Sequence, residues 1–439
     1  MKNMTLENIA KACNGIYVGD EDLKSKEITG VEKDSRLIED GYLYLPFVGA
    51  RVDGHDFIPQ VFDKGALCTL SERDLDNPKG PYIKVESVAT ALKDIAEFYR
   101  KQLSCKIIGI TGSVGKTSTK EIIASVLEEK FKVLKTEGNY NNEIGEPLTI
   151  LKIRDEHEVA VIEMGISDFE EMHRLAKVSR PDVCVITNIG TCHLENLGDR
   201  DGVFKAKTEM FDYASKDCFV VLNGHAPVFF GIDTDRDVMA IKYESLGIRG
   251  TKVKIKYFDK ELDTVIPIPG YHMIYNAMAA VCIGSHFGMT LDEIDSGIRN
   301  LKAIGGRNNI FTTNGITVID DCYNANPMSM KASINVLSQA NGRKVAILGD
   351  MFELGENSKE LHKEVGQAAV GKVDILVCIG NLSKDIAEAA IEGGCNTLYF
   401  PNKADFEENL SAYIKKGDTV LIKASNGMKF KTIVEKLKG

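Results

Sequence analysis

One stretch of the chain sets out the residue types that polyphosphate binding needs. KIIGITGSVGKTSTKE, residues 106 to 121, is a strand-like apolar run, a glycine-rich turn and a helix start at Lys116 and Thr117. Backbone N–H groups in such a loop, together with the helix N-terminus, cradle phosphates; the lysine neutralises charge and the threonine hydroxyl reaches Mg²⁺. The spacing is a variant, because Ile110 stands where the standard pattern has glycine. An ordinary glycine-rich turn would explain the glycines, but not GKT directly after a strand. Two further strand-like runs end in groups able to hold a metal: Glu163 after VAVI, and His193 just beyond VCVITNIGT. Taken singly, His193 reads as a hydrogen-bonded surface histidine, and Glu163 reads equally as a helix N-cap partner. Outside the carboxyl ends of parallel strands they could converge with Thr117, where hard oxygen donors suit Mg²⁺. The segment TEGNYNNEIGEPLT, 136 to 149, offers amides for sugar or phosphate oxygens, although turn chemistry explains Asn and Gly as well.

Elements must hold these groups. With 439 residues the chain is too long for one core, and 44% hydrophobic with 27% charged residues is ordinary globular composition. Residues 1 to about 100 mix short strand patterns (GYLYLPFVG, ALCTL, PYIKV) with a closing helix, SVATALKDIAEFYRKQL. From Lys106, KIIGIT, EVAVIEMG, DVCVITNIG and DCFVVLN alternate with helical crossovers, which predicts a parallel sheet covered on both faces. A glycine-rich stretch at 303 to 309 marks a boundary. GITVIDD, KVAILGD, DILVCIG and DTVLIKA then predict a second doubly wound unit. The expected organisation is therefore α/β with three domains: a small α/β domain over 1–100, a central parallel-sheet P-loop ATPase domain over 101–307, and a Rossmann-like doubly wound domain over 308–439.

Lys and Arg total 54 against 64 Asp and Glu, a balance that argues against a general nucleic-acid or anionic-membrane surface. Ten cysteines, from Cys13 to Cys395 without a CxxC pair, argue against a zinc site or disulfide framework and predict a reducing compartment. The amino-terminal MKNMTLENIAKACNG reads as an amphipathic helix stopped by Gly15 rather than a secretion signal, and no apolar run reaches bilayer length. A cytoplasmic protein without membrane insertion is expected.

Several motifs together resemble the Mur ligase family over nearly the whole chain. They are DSR at 34 to 36 and the run from Phe47 to Ile58, then TGSVGKTSTKE, GNYNNEIGEPLT, IEMG and NIGTCHLENLGDRDGVFKAKTEMF, and finally DDCYNANPMSM and LGDMFELGENS. The resemblance implies ATP-driven amide formation between UDP-N-acetylmuramoyl-tripeptide and D-alanyl-D-alanine through an acyl phosphate. It assigns the ATP phosphates to Gly112, Ser113, Val114, Gly115, Lys116, Thr117 and Ser118, the adenine to Asn276, and ribose and phosphates to Arg307 and Asp321. Thr117, Glu163 and His193 would serve two Mg²⁺ ions, and Lys207 in KTEMF stands where the family carries a carbamylated lysine. Lys116, Lys207 and His193 are thus the implied catalytic residues. A lysine must lose its proton to take up CO₂, and burial or neighbouring cations favour that; spacing alone would equally read Lys207 as a solvated helix lysine like Lys205.

The resemblance further implies that Ser35, Arg36, Arg51, Asp53, Gly54 and His55 hold the uridine diphosphate end, with Asn139, Asn141 and Asn142 also on substrate. Asn324 and Asn326, in the NANP turn, would meet the dipeptide, although NANP also suits a helix start with Pro327 in the first turn. No nucleophilic Ser or Cys is needed, so Cys192 and Cys322 are expected to pack; a monomer is expected. Two departures stand out: Lys423, Ala424, Ser425, Asn426 replaces the family's Lys-Gly-Ser-Arg, removing a guanidinium, and Cys322 replaces a serine. The rival readings are a sister ligase of the same fold with another amino acid or acceptor, and a P-loop regulator that turns over nucleotide to switch conformation.

Overall fold

The computed structural model describes residues 1–190, 192–223, 228–232 and 237–438, so Thr191 of the NIGTCH run and the terminal Gly439 lie outside the described residues. The chain divides into two compact units. The first comprises residues 1–111, 131–185 and 205–220; the second comprises 112–130, 186–204 and 221–439.

In the first unit the amino-terminal helix is Leu6–Ala12, its first turn closed by the Thr5 hydroxyl accepting from Asn8 N–H. Five short strands follow: β1 (Ile16–Val18), β2 (Gly30–Glu32), β3 (Tyr42–Tyr44), β4 (Cys68–Ser71) and β5 (Tyr82–Lys84). They form one sheet in the order β1-β5-β4-β3-β2, parallel except where β1 meets β5. Ser87 caps the helix Val88–Arg100, which buries Ala91, Leu92, Ile95, Ala96 and Tyr99 at helical spacing. Next come β6 (Lys106–Thr111), β7 (Val133–Lys135), β8 (Val159–Glu163) and β9 (Val183–Ile186), neighbours in the order β9-β6-β8-β7. β6 and β7 both pair parallel with β8. Every residue of β8 and β9 is buried, as an unbroken apolar run in a covered parallel sheet requires.

β10 (Phe219–Asn223) begins in the first unit and ends in the second, where it pairs parallel with β11 (Val228–Ile232), and β11 with β12 (Val238–Ser245). Then the direction reverses: β13 (Thr251–Tyr257) and β14 (Lys260–Ile266) continue antiparallel. The sequence reading did not foresee this extension. Its hairpin turns on Phe258 and Asp259, with Phe258 at φ 50°, and so lacks the Asn-Gly or Asp-Gly signal that marks such turns.

The last strands are β15 (Asn309–Thr313), β16 (Ile316–Asp320), β17 (Lys344–Gly349), β18 (Ile375–Ile379), β19 (Thr397–Phe400) and β20 (Thr419–Lys423), in the order β15-β16-β20-β17-β18-β19. Only β15 is antiparallel. Alternate side chains sort onto two faces. Ile319, Ala346, Leu348 and Leu421 pack with Met330, Ile334 and Val365 on one side. Val318, Val345, Ile347 and Val420 pack with Phe406, Phe430 and Ile433 on the other. This is the doubly wound arrangement expected from the four apolar runs. Among the described residues no helix is long and apolar enough to cross a membrane.

Candidate active site

The glycine-rich turn after β6 is pre-shaped. β6 ends at Thr111, and Gly112 follows at φ 149°, where a Cβ would stand 2.0 Å from the Thr187 hydroxyl. Gly115 opens the helix Lys116–Leu127 in the left-handed conformation at φ 87°, which a side chain rarely adopts. The chain beyond β9 braces the loop from one side. Asn188 accepts from Ser113 N–H through its carbonyl (3.1 Å) and from Val114 N–H through Oδ1 (3.0 Å). The Val114 carbonyl in turn accepts from the Thr187 hydroxyl at 2.7 Å and from Asn188 Nδ2 at 2.8 Å. Ser113 Oγ accepts from Gly190 N–H, and from the Cys192 thiol at 3.2 Å, so Cys192 bonds to the loop as well as packing.

Lys116 curls back, its Nζ donating to the Gly112 carbonyl at 2.7 Å, while Thr117 is 3% exposed and Ser118 half-buried. Asn276, on the helix His272–His286, accepts from the Thr119 hydroxyl at 3.0 Å and so ties that helix to the phosphate-loop helix. Neighbouring His272 is held below its ordinary pKa by burial.

His193 and Glu353 both adopt left-handed backbone, at φ 52° and 61°, and His193 Nδ1 lies 3.3 Å from Glu353 Oε2. At the carboxyl ends of β16 and β20, the carboxylate of Asp321 accepts from Asn308 N–H (3.1 Å), Ser333 Oγ (2.5 Å) and Lys423 Nζ (2.6 Å). Lys423 also donates to the Asn324 carbonyl at 3.0 Å, and the Asn324 side chain accepts from Ala325 N–H. The Arg307 guanidinium stacks over the Tyr323 ring at 4.0 Å. Asn326 caps the helix Pro327–Ser338 in a capping box with Ser329 and Pro at the first turn, the helix start that NANP suggested. Cys322 is buried, its thiol donating to Asp320 Oδ1 at 3.0 Å.

In the first unit, Glu163 closes β8 at 2% exposure; Asn141 Nδ2 donates to its Oε1 at 2.8 Å. Its backbone N–H donates to the Thr136 hydroxyl. Asn142 Oδ1 accepts from Ile144 and Gly145 N–H, which starts the helix Gly145–Ile150, while Asn139 is exposed. Lys207 lies on the helix Arg200–Thr208 and is 0% exposed, not the solvated lysine that spacing alone would allow. In the small amino-terminal sheet, Asp53 accepts from His55 N–H and Nδ1 and lies 3.1 Å from Arg73, contacts that depress its pKa, the His55 backbone bond foremost. The far nitrogen of His55, Nε2, accepts from Glu72 N–H at 3.2 Å, which fixes the ring. Arg36 forms a two-pronged pair with Asp34 that lowers the Asp34 pKa to about 2. Ser35 and Gly54 are buried and Arg51 is exposed.

Sequence reasoning gave no role to Thr187, Asn188, Ser333 or Glu353. Only Thr187 and Asn188, just beyond the end of β9, had a position that could have drawn notice; Ser333 lies within the helix Pro327–Ser338.

Three family models match the chain: "Mur ligase family, catalytic domain" over residues 27–100, "Mur ligase middle domain" over 110–284, and "Mur ligase, glutamate ligase domain" over 306–426. The UDP-N-acetylmuramoyl-tripeptide--D-alanyl-D-alanine ligase of Bacillus subtilis is 36% identical over 100% of this chain and 99% of its own length. The Escherichia coli ligase of that name is 32% identical over the same shares. Among solved structures, MurF from Acinetobacter baumannii aligns with a TM-score of 0.89 at 30% identity, covering 99% of this chain and 98% of its own. MurF ligase from Thermotoga maritima, in complex with ADP, aligns at 0.81 and 29%, covering 93% and 97%.

Proposed function

The chain belongs to the Mur ligase family, and on that premise we propose that it joins D-alanyl-D-alanine to UDP-N-acetylmuramoyl-tripeptide, with ATP converted to ADP and phosphate. The observation that carries this reading is the phosphate loop at Gly112–Ser118, held open by Thr187 and Asn188, within a chain that matches such ligases from end to end.

The tripeptide's terminal carboxylate attacks the γ-phosphate, ADP leaves, and the dipeptide amine then displaces phosphate from the acyl phosphate. Neither step needs a covalent bond to the protein; catalysis rests on positioning and on charge stabilisation at the transferring phosphoryl group. Loop N–H groups hold the phosphates and Lys116 exchanges its bond to Gly112 for the β and γ oxygens. Asn276 borders the adenine, and Arg307 with Asp321 approaches ribose and phosphates. Ser35, Arg36, Arg51, Asp53, Gly54 and His55 take the uridine diphosphate end, Asn139, Asn141 and Asn142 the acceptor, and Asn324 and Asn326 the dipeptide.

Thr117 and Glu163 carry the hydroxyl and carboxylate oxygens that suit Mg²⁺, His193 carries an imidazole, and full burial of Lys207 fits an amine that must be neutral before it takes up CO₂. When bound, the ions would neutralise charge on the phosphates. The domain bounds 1–100, 101–307 and 308–439, a cytoplasmic location and a monomeric state belong to the same proposal.

Phosphate release from ATP with Mg²⁺ tests it, measured with and without each substrate while the nucleotide product is weighed. Release that requires both substrates, with a product heavier by one dipeptide less water, is expected. Release that depends on another amino acid would instead establish a sister ligase, and release indifferent to both would leave only a nucleotide switch.

A further inference from the structure

Ligation chemistry leaves the cysteines unused, yet two of them meet. Cys184, in β9, is fully buried; Cys218, immediately before β10, is half-buried, and their sulfurs lie 3.4 Å apart. Backbone bonds hold the two segments side by side: Ser215 N–H donates to Pro181 O at 3.0 Å and Phe219 N–H to Asp182 O at 3.1 Å. The sulfurs would close from 3.4 Å to about 2.05 Å on forming the bond.

We propose that Cys184 and Cys218 are a reversible dithiol–disulfide pair, with Cys218 the sulfur that meets the oxidant and Cys184 the one that resolves it. The oxidant is a hydroperoxide. Cys218, as thiolate, attacks the terminal peroxide oxygen; the O–O bond breaks, Cys218 becomes a sulfenic acid and the other oxygen leaves as an alcohol or as water after protonation. The Cys184 sulfur then attacks the Cys218 sulfur, the S–O bond breaks, and water departs with the Cys184 proton. In sum, two thiols lose two electrons and two protons, and one peroxide is reduced.

Exposure divides their roles: Cys184 is fully buried, and of the two only Cys218 has solvent access. A resolving thiol in contact diverts the sulfenic acid into a disulfide before it reaches the irreversible sulfinic state.

The test is hydrogen peroxide treatment of the folded full chain, followed by alkylation and non-reducing peptide mapping. The peptides carrying Cys184 and Cys218 are expected as one cross-linked species, lighter by two hydrogens and separated again by dithiothreitol. In Cys184→Ser, dimedone is expected to trap Cys218 as sulfenic acid. Recovery of both wild-type sulfurs as alkylated thiols, oxidation of Cys218 to sulfinic acid, or its linkage to any other cysteine would overturn the proposal.

Discussion

Lys116 Nζ donates to the Gly112 carbonyl at 2.7 Å, so a cation already lies over the loop to which the proposed function assigns the phosphates. Lys116→Ala is expected to lower kcat by about a hundredfold or more, the scale of losing one preorganised charge at a transferring phosphoryl group; near-normal turnover would remove Lys116 from the site. Lys207→Ala should be as severe, with partial recovery in short carboxylic acids that replace a carbamate, and a fully active variant would end the carbamate reading.

Glu146 has the opposite character, a buried carboxyl that no reaction step uses. It is 0% exposed, neither oxygen is hydrogen-bonded, and its polar neighbour Ser179 donates to the Leu175 carbonyl instead. Burial raises its pKa well above the usual carboxylate range. A folded state that binds this proton more tightly than the unfolded chain loses stability as pH climbs above the ordinary value near 4.5. Glu146→Leu should therefore raise the unfolding free energy measured in urea, by about 1–3 kcal/mol for removing an unpaired buried polar group. The gain should be larger at pH 8 than at pH 5, and equal gains would contradict the assignment.

Elements decide how firmly such side chains are held. The phosphate loop depends on the chain beyond β9 fitting against Gly112, where a methyl group would meet the Thr187 hydroxyl at 2.0 Å. Gly112→Ala should leave the fold intact by circular dichroism while weakening nucleotide binding at least tenfold by calorimetry, because the loop must move off Thr187 and Asn188. Helix Leu291–Arg299 offers a contrast: Thr290 and Glu293 close a capping box on an exposed end. Loss of that cap in Thr290→Ala should cost about 1 kcal/mol in denaturant unfolding and leave turnover unchanged.

For the whole molecule, nucleotide binding and stability are linked, since a ligand that binds only the folded chain raises its stability by about 2.7 kcal/mol at a hundred times its Kd. An ADP-dependent rise in melting temperature is expected for the wild type and not for Gly112→Ala.

Much of this architecture was legible in residue order. Continuous apolar runs marked β6, β8, β9, β16, β17, β18 and β20, because a strand covered on both faces has no polar side to interrupt it. GKT after a strand marked the glycine turn from β6 into the helix Lys116–Leu127, because small residues allow the tight turn and the helix begins at Lys116. The antiparallel β13 and β14 escaped, since Phe258 turns the chain without any turn signal. Tertiary structure decided the rest. Thr187 and Asn188 brace the loop, Ser333 and Lys423 close around Asp321, Lys207 is buried rather than solvated, and Cys184 meets Cys218. Periodicity tells which residues leave water and which loop can cradle an anion. It does not tell which polar groups, far apart in the chain, become each other's partners, because the packing of strands and helices sets those distances.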